Sequence, residues 1–234
     1  CEGLVGSEMC IRDSFKPILF SKSVMVKYQR IVTNLLEENT YIVYNENNDC
    51  VIIDPGFGFQ LIDAFIQSKK LNPIAILATH AHFDHLAGAA DLIDKYKLPL
   101  HVCDKDELLV ENFHRAAAYW GVEARKPTVT HWIDCNDKQL QVGDFSFSII
   151  FNPGHSPGCI SFIINNLIFC GDLIFKGSIG RTDLPLSSPR DMASSLELFV
   201  NSFTSDQILL TGHGEETTLY DELKTNPHLM KYEK

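Results

Sequence analysis

Two features that the sequence lacks narrow the classes of protein it encodes. No run of Lys and Arg occurs, and the 20 basic residues are outnumbered by 30 acidic ones, for a net charge of −10. Sequence-independent binding of nucleic acid needs a positively charged surface, so we expect no nucleic-acid partner. No apolar run reaches the roughly 18–20 residues that span a bilayer, and no secretory signal is visible. We therefore expect no membrane partner and a cytoplasmic location.

The cysteines lack the spacings that would give them a special role. None of the seven belongs to a C-x-x-C pair, and no zinc-finger spacing occurs. A dispersed, odd-numbered set indicates reduced thiols of a cytosolic protein, most of them packed as small hydrophobic side chains. Hydrophobic residues make up 45% of the 234 residues, which is enough for a substantial core.

The first two dozen residues fit no periodic template. Residues 5–14 resemble a translated sequencing adapter, so we predict that residues 1–24 are a non-native or disordered segment, with Met25 as the natural start. Residues 25–234 are predicted to form a single domain.

Regular apolar patterns begin at residue 25. Short apolar runs bounded by turn residues predict strands at 41–44, 50–54, 74–78, 100–103, 139–142, 145–151, 159–164, 167–170 and 207–210. Helical spacing predicts helices at 59–68, 86–97, 190–203 and 219–224. The irregular, mostly helical stretch 104–126 is a candidate lid over a site. This order predicts α/β layering, with two β-sheets packed face to face and helices outside them.

A cluster of candidate metal ligands follows the apolar strand 74–78. His80, His82, Asp84 and His85 fall within six residues. Alternate side chains of an extended segment share a side, so His80 and His82 can reach one ion, while Asp84 and His85 at the following turn can reach a second. Imidazole and carboxylate together suit zinc, iron or manganese. A lone histidine is usually an ordinary polar residue, but this cluster predicts a metal site.

Three more candidate ligands lie at other strand ends. His155, Asp172 and His213 each come after an apolar strand and directly after a glycine, which lets the backbone approach an ion closely. Any one of these Gly-His or Gly-Asp pairs is a weak signal. Their repetition in the same context predicts that they complete the metal site.

These motifs resemble those of the metallo-β-lactamase superfamily. They are T-H-A-H-F-D-H at 79–85, G-H-S-P-G at 154–158, G-D at 171–172 and G-H-G at 212–214. The resemblance implies a four-layer αββα fold of the α/β (α+β) class, with two mixed β-sheets and helices on the outer faces. It implies two divalent ions per chain, with zinc expected first and iron or manganese as alternatives. The first ion would be held by His80, His82 and His155, the second by Asp84, His85 and His213, and both by Asp172.

A finer resemblance is to compact, single-domain glyoxalase II-like hydrolases. It rests on residues 171–185, which include Gly-Arg-Thr-Asp at 180–183, and on the ending at 212–229. It implies cleavage of small-thiol thioesters, such as S-lactoylglutathione to lactate and glutathione, by a metal-bridging hydroxide. Asp84 and Asp172 would be the catalytic carboxylates, and Arg181 and Lys176 would contact the substrate. The partner would be a small molecule, and the protein a monomer or homodimer. The region after His213 departs from larger glyoxalase II enzymes, whose C-terminal helical domain binds glutathione.

A second interpretation is an oxidoreductase of the same fold. Persulfide dioxygenases share the His-x-His-x-Asp-His core and a similar Gly-Arg-Thr-Asp stretch. They work with one iron held by two histidines and an aspartate, which here would be His80, His155 and Asp172. A non-catalytic scaffold is least favoured, because no ligand position is lost.

Overall fold

The computed structural model describes residues 24–33, 36–203 and 206–233. The prediction for residues 1–24 therefore falls, apart from Val24, outside the described residues. The first half contains the strands β1 (Val26–Val32), β2 (Asn39–Asn45), β3 (Asp49–Ile53), β4 (Asn72–Leu77), β5 (Leu100–Cys103) and β6 (His131–Ile133). Its helices are α1 (Phe59–Lys69), α2 (Phe83–Leu86), α3 (Ala89–Tyr96), α4 (Glu107–Glu111) and α5 (Phe113–Tyr119).

The second half is richer in strands. They are β7 (Gln139–Val142), β8 (Phe145–Phe151), β9 (Ile160–Ile164), β10 (Leu167–Gly171), β11 (Ile174–Phe175), β12 (Ser178–Ile179), β13 (Ile208–Thr211) and β14 (Thr217–Thr218). The helices are α6 (Pro189–Ser202) and α7 (Leu219–Thr225). Ser188 caps the start of α6 by accepting a hydrogen bond from the Asp191 amide.

Two six-stranded sheets form the centre of the molecule. The first has the order β1-β2-β3-β4-β5-β6 and the second β14-β13-β10-β9-β8-β7, while β11 and β12 form a separate hairpin. Both sheets are mixed: β3 to β6 are parallel neighbours, as are β10 and β13, and the other pairs are antiparallel.

The cores on either side of each sheet follow from the alternation of side chains along the strands. In β2, Tyr41 and Val43 pack between the sheets, and Ile42 points to the outer face of the first sheet. Helices α1 and α3 cover that outer face, and α6 and α7 cover the outer face of the second sheet. This confirms the predicted αββα layering. No helix in the described part of the chain is both long enough and apolar enough to cross a membrane.

The predicted single helix 86–97 is wrong in one respect, because a break at Ala87 and Gly88 separates α2 from α3. A Cβ on Gly88 would lie 2.6 Å from the carbonyl oxygen of Gly56, and the Gly88 amide donates to the Pro55 carbonyl. The helix is thus interrupted where the chain passes close to the loop after β3. The sequence patterns also missed the edge strand β1, in which apolar and polar residues alternate only as far as Gln29, and the strands β11, β12 and β14, which are two residues long and too short for a periodic pattern.

His101 and His131 form a histidine pair away from the metal ligands. They are paired across β5 and β6, and their rings stack with centroids 4.5 Å apart. Burial, and then the neighbouring His131, lower the pKa of His101 to about 4. As the pH falls from about 6.5 towards 4, the unfolded chain therefore takes up a proton that the folded chain does not, which destabilises the fold.

We expect the free energy of unfolding to fall by about 3 kcal/mol across this pH window through His101 alone. Urea unfolding measured from pH 7.5 to 4 should show a shallower decline for His101→Leu than for the natural protein. The exposed His114, replaced in the same way, serves as the control and should leave the slope unchanged. Identical pH dependence in the natural protein and His101→Leu would contradict this expectation.

Candidate metal centre

The candidate ligands meet because strands of both sheets end at one edge. Strands β3, β4 and β5 are parallel, so their carboxyl ends point the same way. In the second sheet, β10 and β13 are parallel, and β8 runs in the same direction because both β8 and β10 are antiparallel to β9. The segments after β4, β8, β10 and β13 carry the predicted ligands, and the structure brings all of these ligands together.

The ligand atoms form three overlapping groups, in each of which all atoms lie within 4.8 Å of one another. These groups are His80, His82 and His155; His80, His85 and Asp172; and Asp84, His85 and His213. Asp172 contacts members of the first and third groups, since its Oδ2 lies 3.2 Å from His155 Nε2 and 3.6 Å from His213 Nε2. Its Oδ1 lies 3.4 Å from His85 Nε2. The seven predicted ligands therefore form one continuous cluster.

The outward-facing ring nitrogens of four of these histidines have hydrogen-bond acceptors. His155 Nδ1 lies 2.9 Å from the Arg181 carbonyl, and His213 Nδ1 lies 3.0 Å from the Leu36 carbonyl. His85 Nδ1 lies 3.1 Å from Asp54 Oδ2, and His80 Nδ1 lies 3.2 Å from Thr79 Oγ1. A neutral imidazole that donates from Nδ1 carries its lone pair on Nε2. In the neutral form of each of these rings, Nε2 is then left as an electron-pair donor that faces the cluster.

The cluster fits divalent cations better than it fits a hydrogen-bond network. His85 Nε2 and His213 Nε2 face each other at 3.3 Å, and His82 Nδ1 faces His155 Nε2 at 2.9 Å. Facing lone pairs repel unless a cation or proton lies between them. Within the described residues, the buried His80 Nε2 and Asp172 Oδ1 have no hydrogen-bond partner. Buried polar atoms left without partners are costly, and coordination of a cation would satisfy both.

The electrostatics of the cluster favour the charge states that metal ligands need. Burial by itself would raise the pKa of Asp172, but the neighbouring histidines outweigh it and hold this pKa well below its usual value. The pKa of Asp84 is lowered too, because His85 and His213 outweigh its burial. Burial lowers the pKa of His80, and that of His82 to about 3. The carboxylates are therefore ionised, and these two imidazoles are neutral.

The pKa of His85 is shifted in the opposite direction to the pKa values of His80 and His82. Burial lowers its pKa, but Asp172 and Asp84 more than compensate and raise it well above the usual value. The pKa of His213 is raised for the same reasons. A proton and a metal cation therefore compete for this side of the cluster.

Asp54 orients the cluster, although no sequence motif marked it as a site residue. It follows β3 in a left-handed conformation (φ 49°) and is buried. Its Oδ1 accepts the Thr79 amide at 2.7 Å, and its Oδ2 accepts the Thr79 hydroxyl at 2.6 Å and faces His85. It therefore fixes both the ligand-bearing segment after β4 and the ring of His85. The feature of the sequence that could have identified Asp54 as a site residue is its place at a strand end, directly before Pro55.

Asp106, after β5, orients the group of His80, His82 and His155. The sequence motifs did not mark it as a site residue either. It is fully buried and accepts hydrogen bonds from the Ala81 amide (2.8 Å), the Ser156 hydroxyl (2.9 Å) and the Gly158 amide (2.6 Å). These bonds tie the segment of His80 and His82 to the loop of His155. Asp106 lies in the irregular stretch 104–126, where no periodic pattern marks it.

The predicted substrate contacts lie at the rim of the cluster. Arg181 is exposed and forms a two-point ion pair with Asp183, with nitrogen–oxygen distances of 2.6 and 2.8 Å. Lys176, also exposed, pairs with Glu215. The backbone before Arg181 packs tightly, because a Cβ on Gly180 would lie 1.8 Å from the Asp172 carbonyl oxygen.

This chain is similar to known sequences over most of its length. A family model of the metallo-β-lactamase superfamily matches residues 33–213. The probable metallo-hydrolase YqgX of Bacillus subtilis is 33% identical over 208 residues, which cover 87% of this chain and 98% of that protein. The hydroxyacylglutathione hydrolase GloC of Haemophilus influenzae is 31% identical over 205 residues, covering 85% of this chain and 96% of GloC.

Two solved structures are similar over nearly their whole length. The B3 metallo-β-lactamase BLEG-1 superposes with a TM-score of 0.79 at 31% identity, covering 87% of this chain and 99% of BLEG-1. The protein TTHA1623, solved in a di-iron-bound form, gives a TM-score of 0.78 at 36% identity, covering 85% of this chain and 98% of TTHA1623.

Proposed function

This chain belongs to the metallo-β-lactamase superfamily, and we propose that within it the protein is a metal-dependent hydrolase that cleaves thioesters of small thiols. The observation that carries the proposal is the continuous seven-ligand cluster, in which Asp172 contacts both ends. In this proposal, His80, His82 and His155 hold one divalent ion, and Asp84, His85 and His213 hold another. Asp172 is shared between them. Zinc is the expected metal, and iron is the alternative suggested by the di-iron form of TTHA1623.

Divalent ions at these positions would lower the pKa of water towards neutrality and polarise the substrate carbonyl. The chain's own contribution is to hold the ligands in place. His155 and His213 donate to backbone carbonyls and His85 to Asp54, so their rings cannot turn freely. Asp84 and Asp172, proposed as the catalytic carboxylates, stay ionised at neutral pH and orient the reacting groups by their charge.

The choice of a thioester rests on the leaving group and on one relative. A thiolate departs readily because a thiol has a pKa of roughly 8.5, so the reaction demands no general acid from the chain. GloC is named for the hydrolysis of hydroxyacylglutathione. Arg181 and Lys176, at the rim, are proposed to contact the carrier end of the substrate. The likeness to BLEG-1 makes β-lactam hydrolysis the second candidate.

The test combines metal analysis with activity measurements on a single sample. We expect about two metal ions per chain and cleavage of S-lactoylglutathione under nitrogen. Nitrocefin, a chromogenic β-lactam, serves as the comparison substrate and should be cleaved far more slowly. Oxygen uptake on glutathione persulfide by a protein with one iron per chain, without anaerobic thioester cleavage, would overturn the proposal in favour of a dioxygenase.

A further inference from the structure

Four aromatic side chains form a row that runs from the surface into the core beside α2, and we name this row the aromatic shelf: Phe57, Phe83, Tyr119 and Trp120. The rings of Phe57 and Phe83 meet edge to face with centroids 6.1 Å apart, and Phe83 lies 6.4 Å from Trp120. Trp120 in turn lies 6.3 Å from Tyr119. Tyr119 is 88% exposed and Trp120 50% exposed. Single exposed aromatics are common, but a continuous row with an open outer end indicates a binding surface.

The shelf adjoins the segment that carries two of the candidate ligands. Phe83 lies between the ligands His82 and Asp84 in the sequence, at the start of α2. At the other end, Asp183 and, to a smaller extent, the nearby Tyr119 raise the pKa of the Arg181 guanidinium. The carbonyl of Arg181 faces His155. The shelf therefore lies beside α2, which bears Asp84 and His85, and its outer end lies near Arg181, whose carbonyl faces His155.

The ion pairs of Arg181 and Lys176 favour an uncharged group on the shelf. The Arg181 guanidinium is already engaged by Asp183, and the Lys176 ammonium by Glu215. An anionic carrier end would contact Arg181 or Lys176 only by displacing one of these carboxylates, so neither cation draws a charged group onto the shelf itself, in a chain whose net charge is −10. An apolar group would instead gain by covering exposed aromatic surface.

We propose that the aromatic shelf binds an apolar group next to the scissile bond, so that the protein prefers thioesters with an aryl or alkyl substituent to those with a small hydroxyacyl group. This inference rests on the proposed function, since it names the substrate class of the same site. The apolar group belongs to either the acyl part or the thiol part, and both sources offer the same chemistry to the shelf.

The experiment varies each part of the substrate while the other is held constant. The acyl arm compares phenylacetyl and lactoyl thioesters of N-acetylcysteamine, and the thiol arm compares acetyl thioesters of benzyl mercaptan and N-acetylcysteamine. The metal-loaded natural protein should favour the aromatic member in at least one arm. In Trp120→Ala, the KM of that substrate should rise about 5- to 10-fold while its kcat stays within about twofold.

Two further variants distinguish a loss of binding at the shelf from a general loss of structure or activity. Trp120→Phe keeps an aromatic face, so its KM should stay close to that of the natural protein. Trp132→Ala removes another half-exposed tryptophan, on β6, and should behave like the natural protein. An unchanged preference in both arms for Trp120→Ala, with thioester cleavage retained, would overturn the shelf and leave the proposed function standing.

A binding measurement keeps the two proposals distinguishable if no thioester is cleaved. Isothermal titration of the metal-loaded protein would compare S-benzyl and S-(2-hydroxypropyl) thioethers of N-acetylcysteamine, which cannot be hydrolysed. Binding of the benzyl compound that weakens at least about fivefold in Trp120→Ala supports the shelf even without turnover. Equal binding of the two compounds, or none of either, overturns the shelf.

Discussion

Replacing Asp172 with asparagine is expected to lower thioester turnover on the order of 10³-fold and to reduce the metal content below two ions per chain. The substitution keeps the shape of the side chain but removes its charge. Asp172 is the carboxylate within 3.6 Å of His85, His155 and His213. Its loss therefore removes the negative charge shared by both proposed ions.

The measurements for this variant are kcat/KM and metal content on the same protein. Asp144→Asn makes the same chemical change in the exposed turn before β8, at the end of that strand opposite to His155, and should leave both quantities unaltered. Near-UV circular dichroism checks that the core of Asp172→Asn is intact. Full activity or two retained ions in Asp172→Asn would refute the shared role of this carboxylate.

Replacing Gly212 with alanine should disable the cluster without changing any ligand. A Cβ at this position would lie 2.1 Å from Asp172 Oδ1 and 2.8 Å from His85 Cε1, so the side chains of Asp172 and His85 must move. A shift of about 1 Å in a catalytic group costs about 100-fold in rate, and overpacking destabilises a core by about 1–3 kcal/mol. We expect losses of this order in kcat/KM and in the free energy of unfolding.

Gly214→Ala is the matched control, because it lies in the same loop. Its backbone is left-handed (φ 74°), but a Cβ there would meet no atom within 4 Å. The control therefore carries backbone strain of about 1–2 kcal/mol without any collision with the ligands. It should lose stability but keep most of its activity and metal. Equal loss of activity in the two variants would mean that the loop backbone, rather than the collision at Gly212, is responsible.

The sequence identified the histidines and aspartates that cluster in the structure better than it identified the residues that hold them in place. His80, His155, Asp172 and His213 stand at strand ends, and parallel strands bring such ends together whatever the details of packing. Asp54 could have been recognised on the same ground, since it also ends a parallel strand. Asp106 could not, because its role depends on amides and a hydroxyl from two segments that become neighbours only in the folded chain.

Sequence patterns also could not predict the interactions at the rim of the cluster or the break between α2 and α3. Arg181 and Lys176 are prominent as cations in the sequence, but only the folded chain shows that each is engaged by a carboxylate. The aromatic shelf unites residues from the loop after β3, from α2 and from the end of α5, so no single pattern announces it. The break between α2 and α3 arises from close contact with the loop at Gly56, which is a property of the tertiary fold.

The hydrogen bonds from His155 and His213 to the carbonyls of Arg181 and Leu36 have a consequence for how such a protein can change during evolution. A carbonyl is present whatever side chain its residue carries, so substitution at either position leaves the acceptor in place. Residue 181, which we propose contacts the substrate, can therefore acquire a new side chain while His155 keeps its orientation. Selection on specificity is in this way uncoupled from selection on the reactive centre, which is one physical route by which a single scaffold can diversify into many activities.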